Sequence, residues 1–378
     1  MTSKEHQKHA KLIRPAFGNF HRNELAFLGT PCGKLRPLLE TIAESMADKI
    51  EIGFLEADHQ STLPEHPFFT AFTDKISFHR LDTQPHWNKF DYPLLFNHLD
   101  LLLINGNHFT GKHQVVIIDP AKSLSSKLEK LTDVKLIIKY SQDDQIPDYL
   151  QAHLGDQLKA IPQCTIDEHA QILSFLENFL ITKTPVLKGL VLAGGESMRM
   201  GTDKGQLKYY QKNHREHLLD LQQLVGLTPH LSVRAGQIEQ STSGLALIED
   251  SFTGLGSLGA ILSAFRYDPD AAWLVVATDM PYVDQALLQM LIESRNPGKF
   301  ATAFLNEETG FPEPLITIWE PRSYSRALQF LAQGYSCPRK ILINSSTELL
   351  RLSDQSKLTN VNKPDEYEQV MKHLRTTS

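Results

Sequence analysis

The apolar run Gly189–Ala193 stops at a pair of glycines, Gly194 and Gly195, and this is the tightest constraint in the chain. A short apolar run of this kind suits a buried parallel strand. Paired glycines let the backbone turn sharply and approach a ligand that a Cβ would block. Ser197, Arg199, Gly201 and Lys204 follow within ten residues. Free N–H groups ahead of a helix favour an anion, and two fixed cations add to that. A strand–loop–helix cradle for the phosphates of a nucleotide is the expected local structure.

A chain of 378 residues suggests two domains. Its 41% hydrophobic and 22% charged residues fit ordinary globular folding. A formal net charge of −6 argues against a nucleic-acid binder, which usually presents a basic face. No run reaches the length of a membrane span. The polar segment Met1–Arg14 lacks the apolar core of a signal peptide. Cys32, Cys164 and Cys337 are too far apart for a zinc knuckle or a disulfide framework, so a cytoplasmic setting is expected.

The first half alternates strand-like and helical stretches. Strands are expected at Glu24–Leu28, Ile50–Glu56, Ile76–Leu81, Leu99–Asn105, Val115–Asp119 and Val134–Tyr140. Lys122–Leu131 and Ile166–Ile181 read as helices. Such alternation means an α/β fold with a mostly parallel sheet. The first strand runs into Gly29-Thr-Pro-Cys-Gly-Lys34 and then a helical pattern, the order of a P-loop. Leu28 and Leu35 stand where that motif needs a glycine and a hydroxyl, and the spacing is one residue short. A structural relic of a phosphate loop is the expectation, with a working phosphate site as the alternative. Histidines crowd this half without helical ligand spacing, so they are read as loop and surface residues. Asn105-Gly-Asn-His108 nevertheless ends a strand where α/β sheets place ligands. The polar break Thr182–Pro185 divides the chain into domains 1–182 and 183–378.

In the second half, strands are expected at Leu231–Ala235, Leu245–Ile248, Ala272–Ala277, Ala301–Phe304 and Leu315–Trp319, with helices at His217–Val225, after Gly254–Gly259, and after Asn362-Lys-Pro-Asp365. Asp279 follows an apolar strand, where an open α/β sheet presents ligands. A carboxylate there can hold Mg²⁺ together with phosphate oxygens; it can equally cap the next helix. The glycines of 254–259 permit either close helix packing or approach of a base. Arg339, Lys340 and Lys208 read as surface charge, with contact to an anionic substrate as the alternative for the first two.

Leu192-Ala-Gly-Gly-Glu-Ser-Met-Arg-Met-Gly-Thr-Asp-Lys204 resembles the LAGGxSxRMGxDK signature of the molybdenum cofactor guanylyltransferases, the MobA-type nucleotidyltransferases. Leu247-Ile-Glu-Asp250, Gly254–Gly259, Thr278-Asp-Met-Pro281 and Val361-Asn-Lys-Pro-Asp-Glu366 resemble that family's later motifs, in the same order, over roughly 186–375. The resemblance implies transfer of GMP from GTP to molybdenum-bound molybdopterin with Mg²⁺. It implies nucleotide contacts from Leu192, Ala193, Gly194, Gly195, Ser197 and Asp250. Arg199 and Lys204 would hold the triphosphate, and Asp279 would bind the metal with Asn362. Catalysis would rest on Arg199, Lys204 and Asp279. Molybdenum-insertion proteins and apo-molybdoenzymes are the implied protein partners. Arg234-Ala-Gly236 departs from the asparagine common in that family, which touches base or ribose recognition. Cytidylyl- and sugar-phosphate transferases more often have Ala-Ala-Gly at 193–195, so they stand as alternatives. The first half more thinly resembles MobB-type GTP-binding proteins, with Gly33-Lys34 and Ile104-Asn-Gly106 as the points of likeness. A module that docks, delivers or carries nucleotide or pterin without hydrolysis follows from its broken loop. The implied architecture is two three-layer α/β/α domains with mostly parallel sheets, a degenerate P-loop-like one and then a Rossmann-like nucleotidyltransferase.

Overall fold

The computed structural model describes residues 23–57, 68–84, 87–88, 90–193, 207–234 and 246–377. These residues divide into two compact units, one within Phe17–Lys183 and the other within Thr184–Ser378.

The first unit runs β1 (Asn23–Leu28), α1 (Cys32–Met46), β2 (Ile52–Leu55), β3 (Thr70–Asp74), β4 (His79–Thr83), α2 (Tyr92–Phe96), β5 (Leu101–Asn105), β6 (His113–Ile118), β7 (Val134–Lys139), α3 (Asp148–Leu154), β8 (Gln163–Thr165) and α4 (His169–Thr182). Its main sheet has the order β2-β5-β1-β6-β7-β8, and every pairing in it is parallel. Burial on both faces explains the unbroken apolar strands. Leu25 and Phe27 point to the α1 and α4 side, where Leu38, Leu39, Ile42, Ile172 and Leu176 pack. Leu28 points the other way, toward Leu150 and Leu154 of α3. The alternation produces three layers.

Two sequence expectations fail here. Ile76–Leu81 does not join the sheet. Lys75–Phe78 instead turns β3 back on β4 as a separate antiparallel hairpin. The Asp74 carboxylate accepts the Ile76 N–H at 2.8 Å, and Ile76 sits at φ 71°. That local side-chain bond competes with the extended conformation that the β-branched residue favours. Lys122–Leu131 is not an α-helix either. It holds a 3₁₀ turn, Ser125–Lys130, broken at Lys127 (φ −134°). Lys127 and Lys130 donate through Nζ to the carbonyls of Asn107 and Gly106, which holds the segment down without a helical ladder.

The second unit runs β9 (Leu187–Leu192), α5 (His214–Leu224), β10 (Pro229–Val233), β11 (Ala246–Glu249), α6 (Ser257–Tyr267), β12 (Ala272–Ala277), α7 (Gln285–Glu293), β13 (Ala301–Asn306), β14 (Phe311–Trp319), α8 (Ser323–Ala332), α9 (Pro338–Ile343), β15 (Thr347–Leu350) and α10 (Pro364–Thr377). The sheet order is β11-β10-β9-β12-β14-β13-β15, parallel except where β14 pairs with β12 and β13. Leu190 and Leu192 face α6, α8 and α9. Val191 and Ala193 face α5 and α7. This unit is likewise three-layered. No helix among the described residues is long and apolar enough to cross a membrane.

A buried ion pair ties this sheet's lower edge to the helix end that follows α7. Arg295 grips Glu320 through Nε (2.7 Å) and Nη2 (2.9 Å), and Nη2 also donates to the Pro185 carbonyl at 2.9 Å. The Glu320 side chain is 1% exposed. Removing one partner of a buried pair strands the other charge. Arg295→Ala is therefore expected to lower stability by about 3–5 kcal/mol in urea denaturation, whereas Arg351→Ala, at an exposed pair with Glu307, is expected to cost no more than about 1 kcal/mol.

Candidate functional site

Strand order locates the site before any side chain does. From β9 the chain moves outward to β10 and β11, then returns to β12 on the other side of β9. The switch point therefore lies between β9 and β12. Open α/β sheets bind ligands beyond the carboxyl ends of such strands. Leu192 and Ala193 end β9 there, and Asp279 lies just beyond β12.

A run of hydrogen bonds crosses this sheet edge. Ser232 Oγ donates to Asp250 Oδ1 at 2.9 Å. The Ala193 N–H donates to the Ser232 carbonyl at 3.3 Å. The Leu192 carbonyl accepts from the Thr278 N–H (3.3 Å) and from Thr278 Oγ1 (3.2 Å). The Val361 N–H then donates to the Asp279 carbonyl at 2.8 Å. Five segments distant in sequence, around 193, 232, 250, 279 and 362, are thus registered on one edge. Gly194, Gly195, Ser197, Arg199 and Lys204 lie outside the described residues, as do Ala235 and Gly236.

Asp279 is not the cap of the helix after it. That role belongs to Asp284, whose Oδ1 accepts the Leu287 N–H at 2.8 Å. Asp279 and Asn362 offer oxygen donors of the kind a small hard cation takes. The Asn362 and Lys363 N–H groups both donate to Glu366 Oε2, which fixes the turn into α10. Asp250 is half-buried, and burial raises its pKa; the Ser232 hydrogen bond and the charge of Arg234 oppose that rise. The arginine at 234 therefore lies within electrostatic reach of the candidate nucleoside ligand. Of the glycines at 254–259, Gly259 is where helix meets loop: a Cβ there would stand 2.2 Å from the Phe252 carbonyl oxygen. Close packing accounts for that glycine.

Three residues of this neighbourhood carry little signal in the sequence. Glu313 is 1% exposed and ion-paired to Arg339 Nη2 at 3.1 Å. The antiparallel pairing of β14 with β12 brings it to the Asp279 end of the sheet. Burial raises its pKa, the Leu315 N–H and Arg339 lower it, and the charge of Asp279 raises it. Arg339 is thus held by a buried carboxylate and is not plain surface charge. Lys340, its neighbour, lies 3.5 Å over the Tyr335 ring. Lys208 is exposed, as expected. Tyr209 is buried, and its hydroxyl has no hydrogen-bond partner among the described residues. Burial raises its pKa first, with Tyr367 and then Asp279 adding to the rise. His214, completely buried, donates from Nε2 to the Met280 carbonyl at 3.0 Å and so braces the Asp279 turn. On α5, a buried polar residue such as His214 looks like a break in amphipathicity, which is the only mark it leaves in the pattern.

In the first unit the loop after β1 has its own wiring. Thr30 Oγ1 (2.6 Å) and Lys34 Nζ (3.0 Å) both donate to Asp119 Oδ2. Gly29 sits at φ 107°, and a Cβ there would stand 2.1 Å from the Ile117 carbonyl oxygen. The P-loop-like turn is preserved, while its lysine is tied to a carboxylate. The histidines of this half are not all superficial: His113 is buried in β6 and bonds Asp133 Oδ2 at 2.6 Å.

The family model described as MobA-like NTP transferase domain matches residues 189–349. The chain is 30% identical over 191 residues to the molybdenum cofactor biosynthesis bifunctional protein of Synechocystis sp., covering 50% of this chain and 55% of that protein. It is 31% identical over 151 residues to the probable molybdenum cofactor guanylyltransferase of Opitutus terrae, covering 39% of this chain and 73% of that one. The crystal structure of molybdopterin-guanine dinucleotide biosynthesis protein A from Archaeoglobus fulgidus aligns with 50% of this chain and 99% of its own, at 21% identity and a TM-score of 0.43.

Burial depresses the pKa of His214 to about 4 from an ordinary 6.5. A depressed histidine contributes stability that is full above its unfolded pKa and is lost as pH falls through the folded one. Lowering pH from 6.5 to 4 should thus remove on the order of 3 kcal/mol. Chemical denaturation across that window checks this, and His214→Gln is expected to flatten the slope.

Proposed function

The chain belongs to the MobA-like NTP transferase family and is a nucleotidyltransferase; from that premise we propose that it transfers GMP from GTP to molybdenum-bound molybdopterin and releases pyrophosphate. The observation that carries the reading is the hydrogen-bonded sheet edge, from Asp250 through Ser232, Ala193, Leu192 and Thr278 to Asp279 and Val361. It sets the residues proposed for nucleoside and metal contacts side by side along one edge, which supports the reading.

In this reading the terminal phosphate of the pterin attacks the α-phosphorus of GTP. A new P–O bond forms as the bond between the α-phosphorus and the bridging oxygen breaks. Leu192, Ala193, Gly194 and Gly195 place guanine and the nucleoside against the turn, with Asp250 beside it. Ser197, Arg199 and Lys204 hold the triphosphate. Asp279 and Asn362 hold Mg²⁺, which when bound neutralises phosphate charge and favours departure of pyrophosphate. The chain supplies no nucleophile of its own. Positioning and charge neutralisation carry the rate in phosphoryl-type transfers. His214 and Tyr210 hold the Met280 and Pro281 carbonyls and so keep the Asp279 turn in place.

The first unit is assigned as a MobB-like module that binds or delivers without hydrolysis. The tie between Lys34 and Asp119 supports that assignment, because a lysine already neutralised is a poor partner for a β-phosphate. We take 1–182 and 183–378 as the two domains, working together in a reducing cytoplasm. Molybdenum-insertion proteins and apo-molybdoenzymes complete the set of partners.

With Mg²⁺ present, GTP is expected to raise the melting temperature in a thermal-shift panel, and CTP, UTP and ATP much less, since only a bound ligand stabilises the fold. Selective stabilisation by CTP would reassign the base. Asp279→Ala and Lys204→Ala are expected to lower product formation from GTP and the molybdenum pterin by at least about 100-fold, with the melting temperature of the free protein little changed. Turnover at the wild-type rate in either variant contradicts the site assignment.

A further inference from the structure

The first sheet carries a nucleophile and a base that nucleotidyl transfer does not use. Cys32 is the first residue of α1, and its Sγ lies 3.2 Å from His108 Nε2. Asn105 Nδ2 donates toward the same sulfur at 3.4 Å, and Asn107 Nδ2 lies 3.8 Å from it. These side chains arrive from two strand ends: Cys32 follows β1, while Asn105 ends β5 and leads into Asn107 and His108. Parallel register places both ends at the same edge of the sheet.

The surroundings suit chemistry on sulfur better than phosphate binding. The lysine of the loop is committed to Asp119. An imidazole within hydrogen-bond reach gives the thiol a base. The helix N-terminus and the Asn105 amide, which is shared with Glu56 Oε1 at 3.4 Å, turn positive ends toward the sulfur. Lys122 lies within electrostatic reach of Cys32; burial lowers its pKa, and Cys32 acts in the opposite direction. Cys32 is partly exposed, which leaves its sulfur a path to solvent. Asn107 is 5% exposed, and its Oδ1 is buried with no hydrogen-bond partner among the described residues. An acceptor left unmatched beside a sulfur points to a reagent that brings an N–H group.

The other cysteines provide contrast within the same chain. Cys164 is buried among apolar side chains, and burial pushes its thiol up to about 11. Cys337 is exposed.

We propose that Cys32 is a reactive thiol, with His108 as its base, that exchanges with small amide-bearing disulfides. The Sγ proton passes to His108 Nε2. The thiolate attacks one sulfur of the disulfide R–S–S–R, whose S–S bond breaks as the Cys32–S–S–R bond forms. The departing RS⁻ takes the proton from the imidazolium and leaves as RSH. Oxidation of the protein thiol is balanced by reduction of the leaving sulfur, and excess RSH reverses the step.

The test exposes the full-length protein briefly to oxidised glutathione at neutral pH and locates the mixed disulfide by peptide mass spectrometry. Cys32 is expected to be modified first, ahead of the exposed Cys337, with Cys164 untouched. His108→Ala is expected to slow modification of Cys32 by about tenfold or more and to leave the rate at Cys337 unchanged. The wild-type order of Cys32 and Cys337 needs no variant and so stands even where His108→Ala folds poorly. Faster or equal modification of Cys337 overturns the proposal. So does a folded His108→Ala variant in which Cys32 reacts at the wild-type rate.

Discussion

The backbone hydrogen bonds of β9 organise the second unit. This strand pairs in parallel with β10 on one side and β12 on the other. Its side chains alternate between two apolar layers, Leu190 and Leu192 on one face, Val191 and Ala193 on the other. A strand saturated on both edges and both faces cannot slip, because a shift of one residue would exchange its two faces. The loop that follows it must therefore leave the sheet at one point. The same register carries Ser232 and Asp250 to one side of that point and Thr278 and Asp279 to the other. Chemistry at this edge depends on distances set by strand pairing more than on any single polar contact.

The turn beyond β12 shows how the edge is reinforced. Asp284 takes the capping role, which leaves Asp279 outside the helix terminus. His214 holds the Met280 carbonyl, and Val361 holds that of Asp279. Glu313, brought by the antiparallel pairing of β14 with β12, orders Arg339 on the other flank. Burying these polar groups costs free energy unless each is matched. Burial accordingly lowers the pKa of His214 and raises that of Glu313.

The first unit shows one outcome for a glycine turn at the end of a parallel strand. After β1, the geometry survives in Gly29, but Thr30 and Lys34 both serve Asp119. Cys32 then occupies the first position of the helix, facing His108. A helix N-terminus favours electron-rich groups in general, so phosphate oxygen and thiolate sulfur are neighbouring uses of one backbone arrangement.

Much of this was legible in the sequence. Apolar runs bounded by glycine and proline located strands such as β5, β6, β9 and β12, because strands buried on both faces leave no room for polar residues. The order of the motifs ending at Asp250, Asp279 and Asn362 identified the family and pointed to one sheet edge, since parallel strands all end on the same side. The sequence could not decide which aspartate caps α7, that Ile76 turns a hairpin, or that Arg339 meets a buried glutamate. Nor could it show Cys32 beside His108, seventy-six residues apart. Such pairings join residues through strand register, which leaves no periodic trace along the chain. Local pattern determined the elements and the class of loop; only the tertiary structure decided which polar side chains meet, because that depends on how strands stack across the sheet.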